Sequence, residues 1–71
     1  PNPAKNELII SSDNDIIAYE LYDLKGKLIF NNLNVNSKST TIHRNGLNSG
    51  LYLTKITDAN GNSIIRKIIF E

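Results

Sequence analysis

The chain has no cysteine, no methionine and no tryptophan, and holds one histidine and two prolines. Without cysteine there is no disulfide, thiol nucleophile, iron–sulfur cluster or Cys-based zinc site. The redox compartment stays open, because a cysteine-free chain suits reducing and oxidising settings alike. One histidine with no cysteine is a poor donor set for any transition metal. The formal net charge is only +1, and no basic run marks a nucleic-acid footprint. Apolar runs such as Ile68-Ile69-Phe70 fall far short of the roughly 20 residues a membrane helix needs. The absence of methionine and the opening on Pro1 suggest a piece cut from a longer precursor.

The 71 residues allow a single domain spanning residues 1–71. Such a domain has a stability of about 4–10 kcal/mol at the usual value per residue. Isoleucine and asparagine are both abundant; isoleucine favours strands and asparagine favours tight turns. Pro1-Asn2-Pro3 reads as an extended lead-in, since both prolines lack an amide donor. Glu7 to Ser11 is a short apolar strand, and Ser12-Asp13-Asn14-Asp15 a turn.

Ile16 to Tyr22 alternates with period two, placing Ile17, Tyr19 and Leu21 on one face. Lys27 to Phe30 returns as the second limb of a hairpin. Asn31 to Ser39 is polar and reads as a loop with room for one short edge strand. Thr40 to Arg44 is a weak strand. Leu51 to Thr57 sets Tyr52, Thr54 and Ile56 against Leu51, Leu53 and Lys55. In Ser63 to Phe70, the isoleucines at 64, 65, 68 and 69 also fit a helical spacing. Four β-branched residues in that stretch disfavour helix, so strand is the reading. The sum is an all-β sandwich or barrel of antiparallel strands.

Several fragments suggest chemistry. Asp23-Leu24-Lys25-Gly26 and Asp58-Ala59-Asn60-Gly61 both read D-x-x-G, the form that holds magnesium and phosphate in nucleotide hydrolases. The phosphate loop that must accompany it is missing. A type I turn favours Asp at its first position and Gly at its fourth, so Asp23, Gly26, Asp58 and Gly61 read as two hairpin bends. Asp13-Asn14-Asp15 lacks the further spaced acids and glycine of an EF-hand. His43 has no evident nucleophile or orienting acid in sequence. Tyr19, Tyr22 and Tyr52 could form a sugar platform, though strand tyrosines more often pack at a sheet boundary. Lys55, Arg66 and Lys67 could form a basic strip on the last hairpin. No catalytic constellation, cofactor site or metal site emerges, and the chain does not read as an enzyme.

Taken in order, Pro1-Asn2-Pro3-Ala4, Leu8-Ile9-Ile10, Leu21 to Leu28, Leu47-Asn48-Ser49-Gly50-Leu51-Tyr52 and Arg66-Lys67-Ile68-Ile69 resemble the type A C-terminal sorting domain of type IX secretion cargo. No one motif is specific, but their order and spacing together are. The resemblance implies an immunoglobulin-like antiparallel β-sandwich of about seven short strands. It implies a secretion signal that takes a cargo protein of a Gram-negative cell through the periplasm to the cell surface or the extracellular space. The implied partners are the N-terminal cargo domain, an outer-membrane translocon with its shuttle protein, and a sortase-like cysteine protease. A second copy of the chain is a further candidate partner; nucleic acid is not. Within this resemblance Gly50, Tyr52, Lys67, Ile68 and Ile69 are the expected recognition residues, and Pro1, Asn2 and Pro3 the domain-start motif. Thr54 stands where the family usually has an aliphatic residue, and Phe70-Glu71 where lysine is common. Arg44 stands where a core-facing residue is expected. The competing reading is a fibronectin-like or carbohydrate-binding module of a secreted enzyme.

Overall fold

The computed structural model describes residues 5–71. Strands are the only regular elements among them: β1 (Glu7–Tyr22), β2 (Leu28–Asn32), β3 (Ser37–His43), β4 (Gly50–Asp58) and β5 (Ser63–Phe70). All pairings are antiparallel, in the order β2-β1-β4-β5, with β3 also on β1. The all-β, antiparallel expectation holds.

The strand count is lower than expected, at five, and two mergers account for it. Glu7 to Ser11 and Ile16 to Tyr22 belong to one long β1, because Ser12–Asp15 does not turn the chain. These residues bulge out of the ladder: Ser11 pairs with Ser39 and Ile16 with Ser37, leaving them only Lys38 to face. Likewise Ser37 to Ser39, expected in a loop, joins the weak strand to form β3. The mergers have a simple geometry. β2 and β3 together form one return limb along β1, from the Tyr22–Leu28 pair to the Glu7–His43 pair. Between them the Val35 amide donates to the Ile17 carbonyl at 3.2 Å.

A second bulge corrects the facing of β1. Ile16 pairs with Asp58 and Ala18 with Thr57, so Ile17 is an extra residue on β1. An extra residue flips every later side chain to the other face. Leu8, Ile10 and Ile16 therefore point inward before the bulge, and Tyr19 and Leu21 after it. Ile17 does not share their face: it is 37% exposed while Ile16 is fully buried.

The first part of β1, with β3, contributes to the same core as the rest of the sheet. Leu8, Ile10 and Ile42 enter one core with Tyr19, Leu21, Tyr52, Ile56, Ile68 and Phe70. β4 alternates as expected, with Tyr52, Thr54 and Ile56 inward. Thr54 is completely buried and its hydroxyl donates to the Glu20 carbonyl at 3.0 Å. The bond removes the penalty of an unpaired buried hydroxyl, which is how threonine replaces an aliphatic residue here.

The two D-x-x-G fragments form the same bend. In the first, the Gly26 amide donates to the Asp23 carbonyl at 3.1 Å and the Asp23 amide to the Lys27 carbonyl at 3.1 Å. The Asp23 carboxylate accepts from the Lys25 and Lys27 amides at 2.9 and 3.0 Å. In the second, the Gly61 amide donates to the Asp58 carbonyl at 3.0 Å, and the Asp58 carboxylate accepts from the Asn60 and Asn62 amides at 2.9 and 3.0 Å. Gly26 and Gly61 sit at φ of 85° and 83°, where a Cβ would cost about 1–2 kcal/mol. Both carboxylates are spent on their own backbone. Tyr22 pairs with Leu53 but Asp58 lies near Ile16, so the bends occupy opposite ends of the β1–β4 pair. Asp23→Ala and Asp58→Ala are each expected to cost about 1–2 kcal/mol, and their effects should add because the sites are independent. Urea denaturation of the two single variants and the double variant checks this.

Candidate recognition surface

Among the described residues, no group of three or more His, Asp or Glu side chains could hold a metal ion. His43 lies across from Glu7, with Nδ1 3.8 Å from its carboxylate, and both side chains are largely in solvent. The three tyrosines do not form a platform. Tyr19 and Tyr52 are in the core, with Tyr19 packing on Phe30 at a centroid distance of 6.0 Å. Tyr22 lies on the outer side, bordering a surface pocket with Leu53 and Ile65. A hydrogen bond to Glu20 raises the pKa of its hydroxyl, with burial adding to the effect.

The expected recognition residues divide by face. Tyr52 and Ile68 are buried, 9% and 1% exposed, and can act only through the fold. The Tyr52 hydroxyl donates to the Asn48 carbonyl at 2.6 Å, and its ring meets Phe70 edge-on at 5.8 Å. This fastens the Leu47–Gly50 loop to the last strand. Gly50 begins β4 opposite Phe70, at a φ of 149°. Lys67 and Ile69 lie on the outer face of β5, opposite Leu53 and Leu51. Pro1, Asn2 and Pro3 lie outside the described residues.

The outer face is apolar for a sheet exposed to water. Ile65 is 68% exposed and Ile69 42%. Half-buried Leu51 and Leu53 separate them from β1 and β2. Lys55 and Lys67 are interleaved with these residues along β4 and β5. The basic strip is thus partial: Arg66 alternates to the opposite side of β5, opposite the inward-facing Thr54.

Arg44 stands where a core-facing residue was expected, and its role was not foreseen. It sits half-buried at the end of β3. Asn45 and Gly46 follow at φ of 51° and 79°, a tight turn closed by the Leu47 amide on the Arg44 carbonyl at 3.1 Å. Paired positive φ values of this kind suit Asn-Gly. The turn brings the Leu47 carbonyl to the Arg44 Nε at 2.7 Å. Nη1 donates to the Lys5 carbonyl at 2.8 Å and to the Glu71 carbonyl, and Nη2 to the Ser49 hydroxyl at 3.0 Å. The guanidinium also lies over the Phe70 ring, 5.6 Å from its centroid. One side chain therefore ties together the lead-in segment, the loop before β4 and the end of β5. An arginine two residues after Ile42, on the same strand face, and directly before an Asn-Gly turn was the available signal.

Such a domain, all β, with exposed apolar side chains on its terminal hairpin as well as at Ile9, Leu24 and Leu33, has the form of a recognition module. Over residues 1–71 the chain matches the family described as the secretion system C-terminal sorting domain, and it belongs to that family. It is the sorting signal of a type IX secretion cargo, a class of protein sent to the cell surface or the extracellular space. No curated protein matches the chain significantly.

Proposed function

We propose that the export machinery reads this domain in its folded form, through the outer face of the β4–β5 hairpin. The supporting observation is the exposure of Ile65 and Ile69 beside Lys67, on a face that monomeric domains usually keep polar. Lys67 and Ile69 make direct contact with the machinery. Gly50, Tyr52 and Ile68 hold the hairpin in the shape that is read. The machinery comprises an outer-membrane translocon and its shuttle protein, met in the periplasm. A sortase-like cysteine protease then separates the domain from an N-terminal cargo. The domain itself performs no catalysis. The β1–β3 arm serves as the second layer of a reduced, immunoglobulin-like sandwich, since both layers feed one core.

A charge reversal at an exposed position separates recognition from folding. In a reporter fused ahead of the domain, Lys67→Glu should lower export several-fold. The melting temperature should stay within about 2 °C of the parent, as for most surface changes. Unchanged export of a correctly folded Lys67→Glu reporter would remove Lys67 from the recognition surface.

A further inference from the structure

Asn-Gly occurs at two places, Asn45-Gly46 and Asn60-Gly61. Glycine has no side chain to shield its amide, so that nitrogen can reach the side-chain carbonyl of the asparagine before it. The fold places the two pairs in different turns. In the second, the Gly61 amide is the donor that closes the bend, to the Asp58 carbonyl at 3.0 Å. The Asp58 carboxylate accepts from the amides on either side, those of Asn60 and Asn62, at 2.9 and 3.0 Å. The nitrogen that would attack is held, and so are its neighbours. In the first turn the closing donor is the Leu47 amide, one residue further on. Among the described residues, neither the Gly46 amide nor the Asn45 side chain has a hydrogen-bond partner. Both residues are exposed, and nothing lies within 4 Å of the place a Gly46 Cβ would take.

We propose that Asn45 is a site of spontaneous deamidation and isoaspartate formation, and that its bend holds back the same reaction at Asn60. The Gly46 nitrogen attacks the side-chain carbonyl carbon of Asn45. A carbon–nitrogen bond forms there, and the bond from that carbon to the side-chain amino group breaks. The amino group takes up the proton lost by the Gly46 nitrogen and leaves as ammonia. Water then opens the cyclic imide at one of its two carbonyls. One opening leaves aspartate. The other leaves isoaspartate, whose main chain runs through the former side chain. Water is the sole co-reactant, and nothing is oxidised or reduced.

The two products differ in what they do to the contacts of Arg44. Asn45 adopts a φ of 51°, a left-handed conformation that aspartate also tolerates. Isoaspartate adds a methylene to the main chain between the Arg44 carbonyl and the Leu47 amide, which bond at 3.1 Å. A two-residue turn of this kind has no place for the extra atom. The Leu47 carbonyl is then drawn away from the Arg44 Nε, which it meets at 2.7 Å. The reaction therefore loosens one arm of the side chain that joins the lead-in segment, the loop before β4 and the end of β5.

The test incubates the folded 71-residue chain in mildly alkaline buffer and follows both sites by mass spectrometry. Trypsin cuts after Arg44, Lys55 and Arg66, so the two pairs fall in separate peptides, residues 45–55 and 56–66. Fragmentation of each peptide separates Asn45 from Asn48 and Asn60 from Asn62, and electron-based fragmentation tells isoaspartate from aspartate. In the folded chain Asn45 should react at least about fivefold faster than Asn60, the ratio that one net hydrogen bond represents. In concentrated urea the two rates should converge, because both turns are gone. Asp58→Ala should speed the reaction at Asn60 several-fold and leave that at Asn45 unchanged. Chain enriched in isoaspartate at position 45 should melt about 4–8 °C lower, the shift for losing one net hydrogen bond in a domain of this size. Asn45→Asp, which adds the charge without the methylene, should melt within about 2 °C of the parent. Equal rates at the two sites in the folded chain, a faster Asn60, or an Asn45 that reacts only in urea would overturn the proposal.

Discussion

Replacing Arg44 by alanine should lower the stability of the domain by about 2–4 kcal/mol. Hydrogen bonds to a charged group contribute about 1.5–3 kcal/mol each, but they share one side chain and do not sum. The guanidinium serves the Lys5, Leu47 and Glu71 carbonyls and the Ser49 hydroxyl, and it covers the Phe70 ring. For a chain of this size, with about 4–8 °C of melting temperature per kcal/mol, the loss is large. Arg44→Lys should recover only part of it, because an ammonium is a point charge and cannot form the planar fork or stack on the ring. Arg66→Ala, at an exposed edge position, should cost less than about 0.5 kcal/mol. Thermal melting of the three variants reads the order directly. Similar losses for Arg44→Ala and Arg66→Ala would show that the clasp does not hold the fold.

The second large effect is expected at Phe70, the largest completely enclosed side chain. Phe70→Ala should cost about 3–5 kcal/mol, through lost burial and the cavity left behind. It removes the edge contact to Tyr52 and the surface beneath Arg44. With a total stability of about 4–10 kcal/mol, this change alone brings the domain close to unfolding. Because Arg44 and Phe70 touch, the double variant should lose less than the sum of the single losses. Ile65→Ala, on the same strand but 68% exposed, should be nearly neutral. A cost at Phe70 no greater than at Ile65 would contradict the burial of the end of β5. Denaturant midpoints measured with an unchanged urea slope provide the comparison.

How far these features were legible in the sequence depended on how local their causes were. Both D-x-x-G bends could be read, since Asp and Gly at fixed offsets close a turn whatever surrounds them. β4 could be read because its period-two pattern runs unbroken from Leu51 to Thr57. β5 could be assigned as a strand from its β-branched residues and the bend before it. The facing of β1 could not be read, since Ile16 and Ile17 are equally apolar and only pairing with β4 decides which one bulges. The continuity of β1 through Ser12–Asp15 was hidden for a related reason: a polar cluster within a strand resembles one that ends it. The role of Arg44 could not be read because its partners lie at Lys5, Leu47, Ser49 and Glu71, and no local pattern brings those together. Of the expected recognition residues, the alternation places Ile68 inside and Lys67 and Ile69 outside. The outer pocket was invisible beforehand, since its walls come from three separate elements.

If the folded domain is the sorting signal, its terminal strand is indispensable for export. The most direct test is the export of a reporter protein by a Gram-negative host that secretes through the type IX pathway. The reporter carries either residues 1–71 or the same chain lacking Ile65–Glu71. The full domain should bring the reporter to the cell surface or the medium, and the truncated one should leave it inside the cell envelope. Equal export of the two fusions would contradict the claim.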